Sequence, residues 1–119
     1  MNSHEEQAVD ARVLEALKGV MEDDYGDLIR AYIQDSTSKI QRLRDAVANA
    51  DASGITAITH SLRGTSCNMG ALTLAQLSHA LEGLSNAQQW DAACIQVTRV
   101  EAEFVRVRLV LTAELNLLP

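Results

Sequence analysis

The chain has 119 residues, 47% of them apolar but only 3% aromatic, and carries a formal net charge of −6. That length suits one domain spanning 1–119 with a single core, and a core rich in Ala, Leu, Val and Ile favours packed helices over a β-sandwich. An acidic chain without a Lys/Arg run excludes phosphate-driven nucleic-acid binding, and no uncharged apolar stretch is long enough to span a bilayer.

In chain order, residues 1–7 are polar and expected to fray, with His4 uninvolved. No basic start followed by an apolar run precedes residue 25, so a cytoplasmic location is expected. Val9, Val13, Leu14, Leu17, Val20 and Met21 form a short helical stripe. The stretch E-D-D-Y-G-D breaks it, and its acids suit the positive end of the next helix. Leu28, Ile29, Tyr32, Ile33, Ser36, Ile40, Leu43 and Val47 then line one face of a long second helix. After N-A-D-A-S-G, a turn or a helix entry, Ile55, Ile58, Leu62 and Met69 mark a third helix that ends near Gly70, a good carboxyl-terminal cap. Leu74, Leu77, Leu81 and Leu84 mark a fourth. Trp90, Ala93, Cys94, Val97, Val100, Phe104, Val107 and Leu111 mark a long fifth. Period-two alternation is absent. Short connections make neighbouring helices antiparallel, so the expected fold is all-α: an up-down four-helix bundle with a short amino-terminal helix as a lid on one end. Cys67 and Cys94 are too few for a disulfide framework and read as small filler.

The third helix raises a question of orientation. At about 100° per residue, with Ile55 at zero, Ile58, Leu62 and Met69 fall within roughly 60° on the core side. His60 falls at about 140°, Cys67 near 120°, Gly64 near 180° and Ala57 near 200°. His60 is thus exposed and flanked by small residues. A glycine inside a helix costs about 0.5–1 kcal/mol relative to alanine, and Gly64 has no packing reason on this face. It makes sense if something large must approach the imidazole; a solvated histidine beside a tolerated glycine is equally compatible with this geometry.

From His60 to Gly70 the helix rises about 15 Å, and the next helix returns about 18 Å between Gly70 and Glu82. Glu82 therefore comes back nearly to the level of His60, off the leucine stripe. A carboxylate accepting from one ring nitrogen would fix the tautomer and leave the other lone pair free to react. An ordinary surface acid remains the alternative. His79 lies farther out, solvated or on a partner surface. Other chemistry finds little support. His60, Cys67 and His79 lack metal-ligand spacing, so no metal site is expected. Cys67 is about 10 Å along the helix from His60, too far for an activated thiol. No Gly-rich phosphate loop is present, so no ATP site is expected.

H-S-L-R-G-T-S-C-N-M-G-A, with L-E eleven residues on, resembles the histidine-containing phosphotransfer (HPt) domain family. That family's pattern is His-x-Leu-Lys-Gly, a Leu-Gly-Ala-like turn, and Glu or Gln twenty-two positions after the histidine. His60, Leu62, Gly64, Gly70, Ala71 and Glu82 match in place, while Arg63 replaces the usual lysine and Met69 the usual leucine. The stretch M-E-D-D-Y-G-D-L-I-R-A-Y-I-Q-D-S is similar to the long helix of stand-alone bacterial HPt proteins, the HptB type among them.

The resemblance implies a phosphocarrier in a two-component phosphorelay. His60 would accept a phosphoryl group from the receiver-domain aspartate of a hybrid sensor kinase and pass it to a response-regulator receiver. Arg63 would sit near the phosphoryl oxygens, Gly64 would leave room for approach, and Glu82 would orient the ring so that Nε2 reacts. Ala57, Ser61, Cys67 and His79 would belong to the partner surface. The domain would hold no cofactor of its own, Mg²⁺ being supplied by the receiver, would be no enzyme by itself, and would be a monomer. A sensor-kinase dimerisation domain fits less well, since Ser61 follows His60 and no proline lies a few residues on. A helical adaptor that binds receivers without being phosphorylated is the other alternative.

Overall fold

Apolar residues at helical spacing need partners, and they find them across five α-helices. The computed structural model describes residues 7–119 and contains α1 (Ala11–Met21), α2 (Tyr25–Ala48), α3 (Ala52–Asn68), α4 (Leu72–Asn86) and α5 (Trp90–Asn116), with a 3₁₀ turn at Glu22–Asp24. No strand occurs among the described residues. The expected fraying concerns residues that, except for Gln7, lie outside them. No helix is long and apolar enough to cross a membrane among the described residues.

Helices α2 to α5 form the up-down bundle. Tyr25 at the start of α2 meets Glu114 near the end of α5, whereas Arg44 near the end of α2 meets Glu101 earlier in α5, so the two run antiparallel. Helix α3 packs most extensively on α4, α4 on α5, and α2 on both α3 and α5. Leu43, Ile55, Leu62, Leu74, Leu81, Val100, Val107 and Leu111 are fully buried between them. Burial of such a side chain contributes about 1.5–3 kcal/mol. Two buried polar residues of α3 and α4 have their hydroxyls satisfied within their own helices. Thr59 donates to the Ile55 carbonyl and Ser78 to the Leu74 carbonyl, each at 2.8 Å.

Three corrections to the expected stripes emerge, and those on α4 and α5 have a common cause. Val20 is 79% exposed, and Cys94 is exposed beside Ile95 at 59%. On α4 the fully buried face runs through Leu74, Ala75, Ser78, Leu81 and Ser85, with Leu77 and Leu84 only partly covered. A helix between two neighbours rotates toward its small residues, because these allow the closest approach. Gln96 and Glu103 are buried on α5 despite their polarity; Gln96 donates to the Leu77 carbonyl and Glu103 accepts from Arg106.

Helix α1 closes one end of the bundle. Asp10 caps it, accepting from the Arg12 amide at 2.9 Å. The Asp10 amide in turn donates to the Gly70 carbonyl at 2.9 Å. Gly70 has φ +79°, and its amide donates to Cys67 while that of Ala71 donates to Ser66, which is the Schellman arrangement. A Cβ on Gly70 would also come within 2.9 Å of the Val13 side chain, so glycine there both ends α3 and seats α1.

The α2 and α4 ends use the same bonding with residues less suited to it. Ala50 has φ 50° and Gln88 φ 57° at the positions equivalent to Gly70. A left-handed conformation costs a side-chain-bearing residue roughly 1–2 kcal/mol. Ala50 is exposed at the turn, so Ala50→Gly relieves that cost without opening a cavity. The expected result is a stability gain of about 1 kcal/mol, read as a melting temperature higher by roughly 4 °C. An unchanged or lowered midpoint in thermal unfolding would contradict it.

Candidate functional site

His60 lies in the middle of α3, on the face opposite the buried Ile55, Thr59, Leu62 and Ser66. Two features of the sequence hold it there. Asp51 starts the helix, accepting from the Gly54 amide at 3.0 Å, and Gly70 stops it. The core side is locked by Ser66, whose hydroxyl meets that of Tyr32 on α2 at 2.8 Å. Burial raises the Tyr32 pKa above its ordinary value, so the phenol stays protonated and the crosslink intact. The face bearing His60 is therefore presented by a helix fixed at both ends and along its back.

On that face His60, Arg63, Gly64, Cys67 and Asn68 line an open depression of about 400 Å³. His60 is exposed, and its ring has no hydrogen-bond partner among the described residues. Apart from its neighbours in the chain and the backbone of α3 itself, nothing lies within 4 Å of where a Cβ on Gly64 would stand, so the glycine answers no packing demand from another helix. Ala57 and Cys67 are exposed and Ser61 is half-buried, on the same helix.

On α4, His79 meets Arg63 of α3, and Glu82 lies about one turn farther along the same helix. Their contacts differ from the expected ones. Glu82 makes no hydrogen bond to His60; its Oε2 lies 3.8 Å from Nδ1 of His79, one turn earlier on its own helix. The Arg63 guanidinium crosses from α3 to α4, with Nη1 3.2 Å from Nδ1 of His79. Arg63, His79 and Glu82 thus form one cluster across α3 and α4, and none of the three is hydrogen-bonded to His60. No group of three or more His, Cys, Asp or Glu side chains that could hold a metal ion is found among the described residues.

The family profile of the Hpt domain matches residues 27–115, from the first turn of α2 almost to the end of α5. The chain belongs to the Hpt-domain family. Among solved structures this Hpt domain is similar to the crystal structure of histidine-containing phosphotransfer protein B (HptB) from Pseudomonas aeruginosa PAO1. The two share 32% identity and a TM-score of 0.89, over 94% of this chain and 97% of the other. No curated protein sequence matches significantly.

Two parts of the Hpt-domain surface escaped the sequence reading. Asn68 belongs to the His60 depression and could have been found by extending the row His60, Gly64 by one more turn. Asn68 also borders a second, apolar hollow of about 230 Å³ formed with Leu28, Ala31, Tyr32, Thr65 and Met69. Leu28 carries no sequence signal of this, because its place on the α2 stripe marks it as core. Only the meeting of α2 and α3 leaves it half-exposed beside the site.

Proposed function

We propose that this Hpt domain carries a phosphoryl group on His60, taken from a receiver-domain aspartate of a hybrid sensor kinase and delivered to a response-regulator receiver. Membership of the family carries histidine phosphotransfer within phosphorelays as the general activity. The observation that supports His60 as the carrier is its isolation: an exposed imidazole on a rigid helix, with open space at Gly64 beside it.

In the proposed step a ring nitrogen of neutral His60 attacks the phosphorus of the receiver's acyl phosphate. The P–N bond forms as the P–O bond to the aspartate carboxylate breaks, and the carboxylate leaves with the electron pair. The other ring nitrogen keeps its proton, which Glu82 accepts as a hydrogen bond once the docked receiver orders the ring. A loose phosphoryl transition state asks for positioning and charge rather than for covalent help. The receiver contributes Mg²⁺; this chain contributes the nucleophile, Arg63 and the clear approach over Gly64. The His60 depression and the Leu28/Ala31 hollow, joined at Asn68, form one continuous surface for the receiver, with Ala57, Ser61, Cys67 and His79 around it.

Incubating the protein with a phosphorylated receiver domain and Mg²⁺ tests this reading directly. Acid-labile, base-stable label on the chain is the expected result. Binding of the receiver with no such label would favour the adaptor reading instead.

Arg63 supplies a further check. Its head is exposed and its contact with Nδ1 of His79 lies at the surface, so its loss should change stability by less than about 1 kcal/mol. Arg63→Ala is expected to slow transfer about tenfold, the order of one charge-assisted hydrogen bond to a phosphoryl oxygen. Arg63→Lys keeps the charge and should recover most of the rate. Equal rates in the alanine variant, the lysine variant and the parent would remove Arg63 from the step.

A further inference from the structure

We propose that the outer face of α5 binds a second copy of this chain, the two α5 helices packing antiparallel about a two-fold axis. This goes beyond phosphotransfer and departs from the monomer that the family resemblance implies.

Helix α5 carries two uncharged faces, where the bundle needs only one. The inner face, through Ala93, Val97, Val100, Val107 and Leu111, is buried in the core. The outer face runs through Ile95, Thr98, Ala102, Val105, Leu109 and Thr112, all of them exposed, Leu109 to 66%. Steps of three, four, three, four and three residues are the 3.5-residue repeat of a seam between two helices. A helix at a protein surface ordinarily turns its charged side chains to water opposite the core. Here Glu101 and Arg108 stand on one side of the outer row and Arg99 and Arg106 on the other. The bundle already holds α5 in shape, so no helix has to form on association and a short seam suffices.

The row is complementary to its own reverse. Under a two-fold axis, any contact of one position with another recurs with the two exchanged. An axis midway between Ala102 and Val105 sets Ile95 against the partner's Thr112, Thr98 against the partner's Leu109, and Ala102 against the partner's Val105. Every large side chain then meets a small one, and the layers fill evenly. Parallel helices would stack like on like, leaving a gap at Ala102 and crowding at Leu109. Charge agrees on one flank, where Glu101 comes beside the partner's Arg108, a guanidinium that in its own chain lies 6.0 Å from the Phe104 ring. On the other flank Arg99 approaches the partner's Arg106, whose charge Glu103 of its own chain offsets at 2.8 Å.

From Ile95 to Thr112 the seam is about 25 Å long and about 10 Å wide. A footprint of roughly 250 Å² is small beside the roughly 800 Å² per partner of stable complexes, so the dimer is weak and reversible. Helices α3 and α5 each pack on α2 and α4, which places them diagonally across the bundle. His60 therefore faces away from the seam, and both copies keep it open.

Sedimentation velocity over a concentration series reads the association. The parent should move from one chain mass at low micromolar concentration toward two at high micromolar concentration. Leu109→Glu sets an unpaired charge against the partner's Thr98 and should weaken association roughly tenfold or more. Its melting temperature in dilute solution should match the parent's, because the side chain it replaces is exposed. One chain mass for the parent at every concentration overturns the proposal. So does a dimer that Leu109→Glu leaves undiminished, since association would then use another surface. Disulfide crosslinking in a Cys67→Ser, Cys94→Ser background reads the orientation. Chains carrying Ile95→Cys should crosslink to chains carrying Thr112→Cys. Ile95→Cys alone should not crosslink, its two copies lying about 25 Å apart along the seam. Crosslinking of Ile95→Cys alone overturns the antiparallel arrangement.

Discussion

His60→Gln is expected to abolish phosphoryl acceptance while leaving the bundle intact. The two halves of that expectation come from separate observations. His60 is exposed and has no hydrogen-bond partner among the described residues, so the substitution breaks no contact and opens no cavity. Surface changes of this kind stay within about 0.5 kcal/mol. Glutamine offers an amide in place of the imidazole, and an amide nitrogen has no free lone pair with which to attack phosphorus. The acid-labile label should therefore fall to background, a loss of on the order of a thousandfold or more. Thermal unfolding should be unchanged and receiver binding largely kept. Label persisting on the variant, at His79 for instance, would show that the wrong histidine has been assigned. His79 is the pertinent rival because it, and not His60, has the carboxylate beside it in the free protein.

Gly64→Leu is expected to move stability and transfer in opposite directions. Glycine in a helix interior is about 0.8–1.0 kcal/mol worse than alanine, and leucine is close to alanine. Apart from the adjacent residues and the backbone of α3 itself, no atom lies within 4 Å of the position a Cβ would take, so leucine fits without strain and α3 should be stabilised by about 1 kcal/mol. The same side chain would stand one turn above His60, inside the depression the receiver has to enter. Misplacing reacting groups by about 1 Å costs on the order of a hundredfold, and a leucine in the path displaces them further. A more stable protein with transfer reduced about a hundredfold or more is the expected result. Normal transfer would show that the open space at Gly64 has no steric role. A destabilised variant would mean that the glycine packs against something the free chain does not contain, such as a second copy.

What the sequence by itself determined is the part of the protein governed by local rules. Helix spans follow from a 3.6-residue period, and their ends follow from Asp51 and Gly70, whose cap chemistry involves residues only three to five positions away. The exposed row of Ala57, His60, Gly64 and Cys67 is determined in the same way, because every position on one helix is tied to the others by a fixed rotation. Tertiary structure decided what depends on neighbours. Glu82 faces His79 rather than His60, and Arg63 crosses to α4, because side-chain rotamers respond to whichever charged group is within reach and not to sequence distance. Cys94 is exposed while Gln96 and Glu103 are buried, because the rotation of a helix about its own axis is set by how closely the small residues of two helices can approach. Leu28 joins the surface beside His60 for the same reason: the groove it lines exists only where α2 and α3 meet.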